Sequence, residues 1–136
     1  MVRTRRDARE RALSLCYELD VRGHRLDDLL FELPVAPAPY AVELARGVED
    51  HHEEIDAIIS KFADRWSIDR MPVIDRNLLR IAVFELGWRP DIPLGVAISE
   101  AVDLAKRYST DDSGRFVNGM LGRIGEYLRG DGEGAG

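Results

Sequence analysis

Apolar residues recur at helical spacing along almost the whole chain. Ala8, Ala12, Leu15, Cys16 and Leu19 fall at i, i+4, i+7, i+8 and i+11, one stripe on a helix predicted from about Thr4 to Val21, with Thr4 as N-cap and Gly23 as the stop. Leu26, Leu29, Leu30 and Phe31 predict a short second helix, which Pro34, Pro37 and Pro39 end in a loop. Val42, Leu44, Ala45, Val48, Ile55, Ile58, Ile59 and Phe62 then predict a helix from Tyr40 to about Trp66, bent near His51 and His52.

Residues 66 to 72 are too short for a flexible linker, so two halves, 1–66 and 67–129, are expected to pack together. In the helix predicted from Val73 to Leu86, Arg80 and Glu85 are the polar residues after Leu78, as in a segment surrounded by others. Pro93 is read as a first helical position, and Leu94, Ile98, Ala101, Val102 and Ala105 carry the next helix to Tyr108. Ser109 and Asp112 read as a capping box opening a last helix striped by Val117, Met120, Leu121, Ile124 and Leu128. The Gly-rich tail, 130–136, predicts disorder. With no strand pattern, the fold class is all-α: a single compact helical domain of two packed helical subdomains.

Composition narrows the function classes. At 136 residues, 45% hydrophobic and 32% charged, the chain suits one domain with a real core. One cysteine cannot form an internal disulfide, no zinc-like spacing surrounds it, and no apolar run approaches the roughly 20 residues of a membrane span, so a soluble cytoplasmic protein is expected. Phosphate loops, dinucleotide fingerprints, zinc-helix patterns and nucleophile elbows are missing, which argues against an enzyme and against a metal or other cofactor. His51 and His52 point about 100° apart on a helix, which disfavours a shared ion and favours a solvated face. Cys16 reads as a small core residue.

Charge is segregated. The first eleven residues hold five arginines (Arg3, Arg5, Arg6, Arg9, Arg11) and two acids, a balance of +3, whereas the whole chain is −6. Cations crowded at a helix N-terminus oppose its dipole, so the cluster is either a phosphate-binding patch or a frayed, solvated basic end. Arg5, Arg6 and Arg9 can share one side of the helix. A second feature is the run from Tyr108 to Gly119. Arg115, Phe116 and Tyr108 offer a guanidinium and rings for stacking on splayed bases, although Phe116 reads equally as core. Asn118 and Gly119 are poor helix formers, read as a backbone-holding residue and a site of close helix approach. Third, Leu13 and Tyr17 lie beside the first stripe and Asp75 and Arg76 open the central helix; they are either a protein-binding surface or ordinary caps and exposed residues.

The chain resembles the NusB family over most of its length. The resemblance rests on Arg5, Arg6, Ala8 and Arg9 with Ala12 and Tyr17, and on Leu79, Arg80, Ile81 and Ala82 with Glu85 and Leu86. It continues through Ala97, Ile98, Glu100, Ala101, Leu104, Ala105 and Lys106, and is most specific at Asp112, Ser113, Phe116, Val117, Asn118, Gly119 and Leu121. It implies a non-enzymatic transcription antitermination factor that binds the boxA element of ribosomal RNA transcripts with NusE, a small-subunit ribosomal protein, in the RNA polymerase antitermination complex. Carried over by position, Arg5, Arg6 and Arg9 with Asp112, Arg115 and Phe116 form the RNA side, and Tyr17 and Asp75 the NusE side. Arg3 and Tyr108 join the first set by charge and stacking, Leu13 and Arg76 the second by placement. Asp7 and Gly114 depart from the family pattern. The rival readings are a self-associating helical module, a homodimer through the basic helix, and the accessory domain of a ribosomal RNA methyltransferase, which would need a catalytic domain this sequence lacks.

Overall fold

A computed structural model describes residues 4–64 and 66–135, with side chains to residue 130. Among the described residues there are seven α-helices and no strand. They are α1 (Arg5–Arg22), α2 (Leu26–Glu32), α3 (Pro39–Asp50), α4 (His52–Phe62), α5 (Val73–Trp88), α6 (Leu94–Tyr108) and α7 (Asp111–Ala135). A 3-10 turn, Ile68–Arg70, leads into α5, and Gly130 breaks the regular geometry of α7 with φ 67°.

Local chemistry sets the helix ends. Thr4 caps α1: its hydroxyl accepts the Asp7 N–H at 3.1 Å and its own N–H donates to the Asp7 carboxylate at 3.4 Å. Asp7 therefore closes a capping box and suits the positive end of the dipole, a gain of about 1 kcal/mol. Gly23, left-handed at φ 71°, ends the helix with its N–H on the Leu19 carbonyl. The single helix expected from Tyr40 to Trp66 is two helices. His51 (φ −112°, ψ 24°) separates α3 from α4, and its ring stacks on Trp88 at 4.5 Å rather than facing solvent. His52 is exposed, 3.4 Å from Asp56. Two boundaries shift by one residue. Pro93 is the cap before α6 rather than its first residue, and Thr110, not Ser109, caps α7 by accepting the Ser113 N–H at 2.9 Å.

Helix α5 is the axis of the fold, packed against α1, α3, α4, α6 and α7. Every residue from Asn77 to Leu86 is buried. Each fully buried Leu or Ile here contributes roughly 1.5–3 kcal/mol of transfer free energy. Helix α3 comes so close that a Cβ on Gly47 would lie 2.2 Å from the Phe84 ring, so glycine is required there. At Gly119, by contrast, a Cβ would meet nothing within 4 Å; the close approaches in α7 are at Gly114 and Gly125, where a Cβ would lie 2.7 Å from the Lys106 side chain and 2.5 Å from that of Leu94. Cys16 is buried, and the loss of water pushes its thiol up to about 12.

Candidate nucleic-acid interface

The first-helix arginines do not form one solvent-facing patch. Arg9 is buried, and its guanidinium forks onto the Glu85 carboxylate at 3.0–3.1 Å while its other arm reaches Glu100 at 3.2 Å. Burial alone would lower its pKa, but hydrogen bonding and charge from Glu85 outweigh that and hold it above the ordinary value. The Tyr40 hydroxyl donates to the same Glu85 carboxylate, and burial together with that bond pushes the phenol up to about 12. Arg9 therefore ties α1 to α5 and α6, and its burial withdraws it from the solvent-facing surface. Arg5 and Arg6 stay exposed. Arg6 meets Glu100 at 2.8 Å; that bond and the charges of Glu100 and Asp103 raise its pKa. Arg5 lies 4.6 Å over the Tyr40 ring and 3.9 Å from Asp91. Arg3 lies outside the described residues.

Arg76 is also committed internally. It forks onto Asp20 of α1 at 2.7 and 2.9 Å and donates to the carbonyls of Ile68 and Asp69, fixing the 3-10 turn. Asn77 and Arg80 share Asp20, and Arg80 forks onto Asp56 of α4 at 2.8 and 3.0 Å. Burial pushes the Asp20 carboxyl up, but the hydrogen bonds from Arg76 and Asn77 and the Arg80 charge prevail, so its pKa falls below the ordinary value. Arg76 is thus a strut between α1 and α5, not a free partner-binding side chain.

The remaining candidates fall into three concavities. Leu13 and Tyr17 line an open groove of about 690 Å³ with Ile74 and Tyr108. Leu13 is mostly core, whereas Tyr17 is 41% exposed. Tyr108 belongs to this groove rather than beside Phe116; its hydroxyl donates to Glu10, and Arg107 lies 5.3 Å over its ring. Between α6 and α7, a groove of about 590 Å³ is lined by Ile98, Val102, Asp103, Lys106, Arg115 and Asn118. Asp103 acts on Arg6 and also lines this groove, so a surface path runs from the first helix across α6 to Arg115. The third is a cavity of about 230 Å³ lined by Trp66, Pro72, Asp75, Asp112, Ser113 and Phe116. Trp66 and Phe116 are 6.4 Å apart and tilted by 51°. At the rim Arg115 donates to Asp112, and both are exposed.

Asp75 was expected beside Tyr17, yet it shares this cavity with Asp112 and Phe116. It is 3% exposed, and its Oδ1 is the one buried side-chain polar atom without a hydrogen-bond partner among the described residues. An unpaired buried acceptor costs about 1–3 kcal/mol, more when charged. Trp66 escaped the sequence reading because it sits in a connection with no periodicity. Glu85 and Glu100 escaped because their partners are on α1; the available signal was that Arg9 is at i, i+3 and i+7 to Ala12 and Cys16, on the buried stripe itself. Among the described residues no group of His, Cys, Asp and Glu side chains could hold a metal ion, and no helix is long and apolar enough to cross a membrane.

The model of the NusB family matches residues 6–126, nearly the whole described chain. The chain belongs to the NusB family. A relative from Salinispora tropica, "Transcription antitermination protein NusB", is 49% identical over 130 residues, covering 90% of this chain and 96% of that one. One of the same name from Thermobifida fusca is 45% identical over 127 residues, covering 90% and 89%. The solved structure of T. maritima NusB superposes with a TM-score of 0.86 at 36% identity, covering 98% of both chains. A structure of antitermination factors NusB and NusE in complex with dsRNA aligns with a TM-score of 0.79 at 34% identity, covering 93% of this chain and 99% of that one. NusB family membership bears out the resemblance, the all-α class and the placement outside the enzymes.

Proposed function

We propose that this protein is a transcription antitermination factor that binds the boxA element of ribosomal RNA transcripts together with NusE, as part of the RNA polymerase antitermination complex. The observation that carries the reading is its likeness, at a TM-score of 0.79 over 93% of the chain, to a NusB solved with NusE and RNA. Exposed Arg5, Arg6 and Arg115 neutralise phosphates, with Arg3 as a further cation, and Phe116 offers a ring to an unstacked base. Phosphate replaces Glu100 on Arg6, whose side chain is largely exposed, while Glu100 keeps its bond to Arg9. NusE takes the Tyr17 and Leu13 groove, whose lining is largely apolar and open to solvent.

The test is a titration with boxA RNA and a scrambled RNA, with and without NusE, while molecular mass is followed. The proposal expects boxA to bind more tightly than the scrambled strand and NusE to strengthen it. Equal binding of both strands, or a stable homodimer indifferent to RNA, would reject it in favour of the self-associating module.

A further inference from the structure

We infer that the groove between α6 and α7 seats one nucleotide of the RNA strand, with its base on the aliphatic floor, the base edge on the Asn118 amide and a phosphate at Lys106 and Arg115. The inference rests on the RNA-binding reading above and adds a subsite to it. It starts from two helix-poor residues that serve no purpose inside the molecule. Asparagine and glycine both lower the stability of a helix relative to alanine. Asn118 and Gly119 are exposed, a Cβ on Gly119 would meet nothing within 4 Å, and no described residue bonds the Asn118 amide. The roles read for them from the sequence, holding a neighbouring backbone and admitting a close helix, are therefore not filled. Residues that weaken their own helix and support nothing else in the fold mark a surface that a ligand uses.

Asn118 lines the groove of about 590 Å³, whose floor is Leu94, Ile98 and Val102, all partly buried against the core. That floor takes the flat face of a base, and an amide, donor and acceptor at once, meets its edge. Cations stand beside it. Arg115, 72% exposed, lies one helical turn before Asn118 on the same face. Lys106 has no carboxylate partner among the described residues, and its stem lies against Gly114, where a Cβ would come within 2.7 Å. Gly114 departs from the family pattern, so this seating of Lys106 belongs to this chain. An apolar segment of a protein would also fit the floor. The two cations favour the nucleotide, and so does continuity: Asp103 lines the groove and acts on Arg6, so a strand leaving Arg6 reaches the groove by crossing α6 alone.

The experiment measures binding, in the presence of NusE, of single-stranded boxA RNA with its flanking nucleotides, each nucleotide in turn made abasic, to the wild type, Asn118→Ala and Lys106→Met. At one position loss of the base should weaken wild-type binding about fivefold, the lower end of what one seated base contributes. In Asn118→Ala the intact strand should bind about as weakly as that abasic strand does to the wild type, and the abasic penalty at that position should shrink, with the salt dependence unchanged. The same variant should unfold at higher urea than the wild type, which a loss of affinity through structural damage would not give. Lys106→Met, which keeps the stem over Gly114, should reduce the salt slope by about 0.7, one phosphate on a single strand. An abasic penalty unchanged in Asn118→Ala, or a denaturation midpoint that falls in it, would overturn the inference and leave the RNA-binding reading intact. Weaker NusE binding in Asn118→Ala with the RNA series unchanged would give the groove to a protein and also overturn it. Absence of RNA binding in the wild type would overturn both.

Discussion

Two charged regions of this molecule stand in opposite states. At the first helix, cations are abundant and mostly spent: Arg9 is held by Glu85 and Glu100, Arg6 by Glu100, and Arg5 rests on Tyr40. In the Asp75 cavity a single acidic oxygen is buried with nothing bonded to it. The number of like charges in a segment therefore says little about which of them a ligand can reach. Recognition chemistry follows from groups that folding leaves unsatisfied, and stability from those it satisfies.

The largest expected effect falls on the satisfied side. Arg9→Ala strands Glu85, 1% exposed, without its counter-charge, and should cost about 3–5 kcal/mol in chemical denaturation. Replacing Arg9 and Glu85 together by Met and Leu should recover most of that loss. A cost below about 1 kcal/mol for Arg9→Ala would mean that Arg9 is not a structural tie, and that the contrast between the regions is false.

Acid titration sharpens the same contrast. The Asp20 pKa is depressed in the fold, so its contribution is fully present above the ordinary carboxylate range and is lost as pH falls through the depressed value. Denaturation midpoints measured down the acid limb should fall less steeply in Asp20→Asn than in the wild type, from a lower starting stability. Parallel limbs would remove Asp20 from the tie between α1 and α5.

On the exposed side, Arg5→Ala with Arg6→Ala should leave stability almost unchanged and flatten the salt dependence of RNA binding. The slope of log affinity against log salt should shrink by about 1.4, two phosphate contacts on a single strand. An unaltered slope would take both residues out of the interface. The smallest effect is expected for Glu100→Gln, which frees Arg6 of a competing carboxylate and should strengthen RNA binding a few-fold at low salt, with the gain fading as salt rises.

Much of the architecture was legible because it depends on local rules. The apolar stripes gave α1, α5, α6 and α7, and Thr4 and Gly23 the ends of α1, whereas the break between α3 and α4 at His51 read only as a bend in one helix. What was hidden depends on distant partners. Arg9 and Arg76 look like surface cations until Glu85 and Asp20 arrive from other helices, and Arg80, on the helix read as surrounded, has no visible partner until Asp56 does. Periodicity does mark Arg9 as lying on the buried stripe, but it cannot name the carboxylate that makes burial tolerable. The cavity was partly legible: Asp112 and Phe116 stood out as a motif and Asp75 as the opening of the central helix, whereas Trp66 lies in the connection before α5, which has no pattern to read.

The most direct measurement of the central claim is an NMR titration of the labelled protein with boxA RNA in the presence of NusE, following the arginine Nε–H and tryptophan Nε1–H signals. The account predicts that Arg5, Arg6 and Trp66 shift on binding while Arg9 keeps the position set by its bond to Glu85. An Arg9 signal that moves as far as that of Arg6, with Trp66 unmoved, would contradict it.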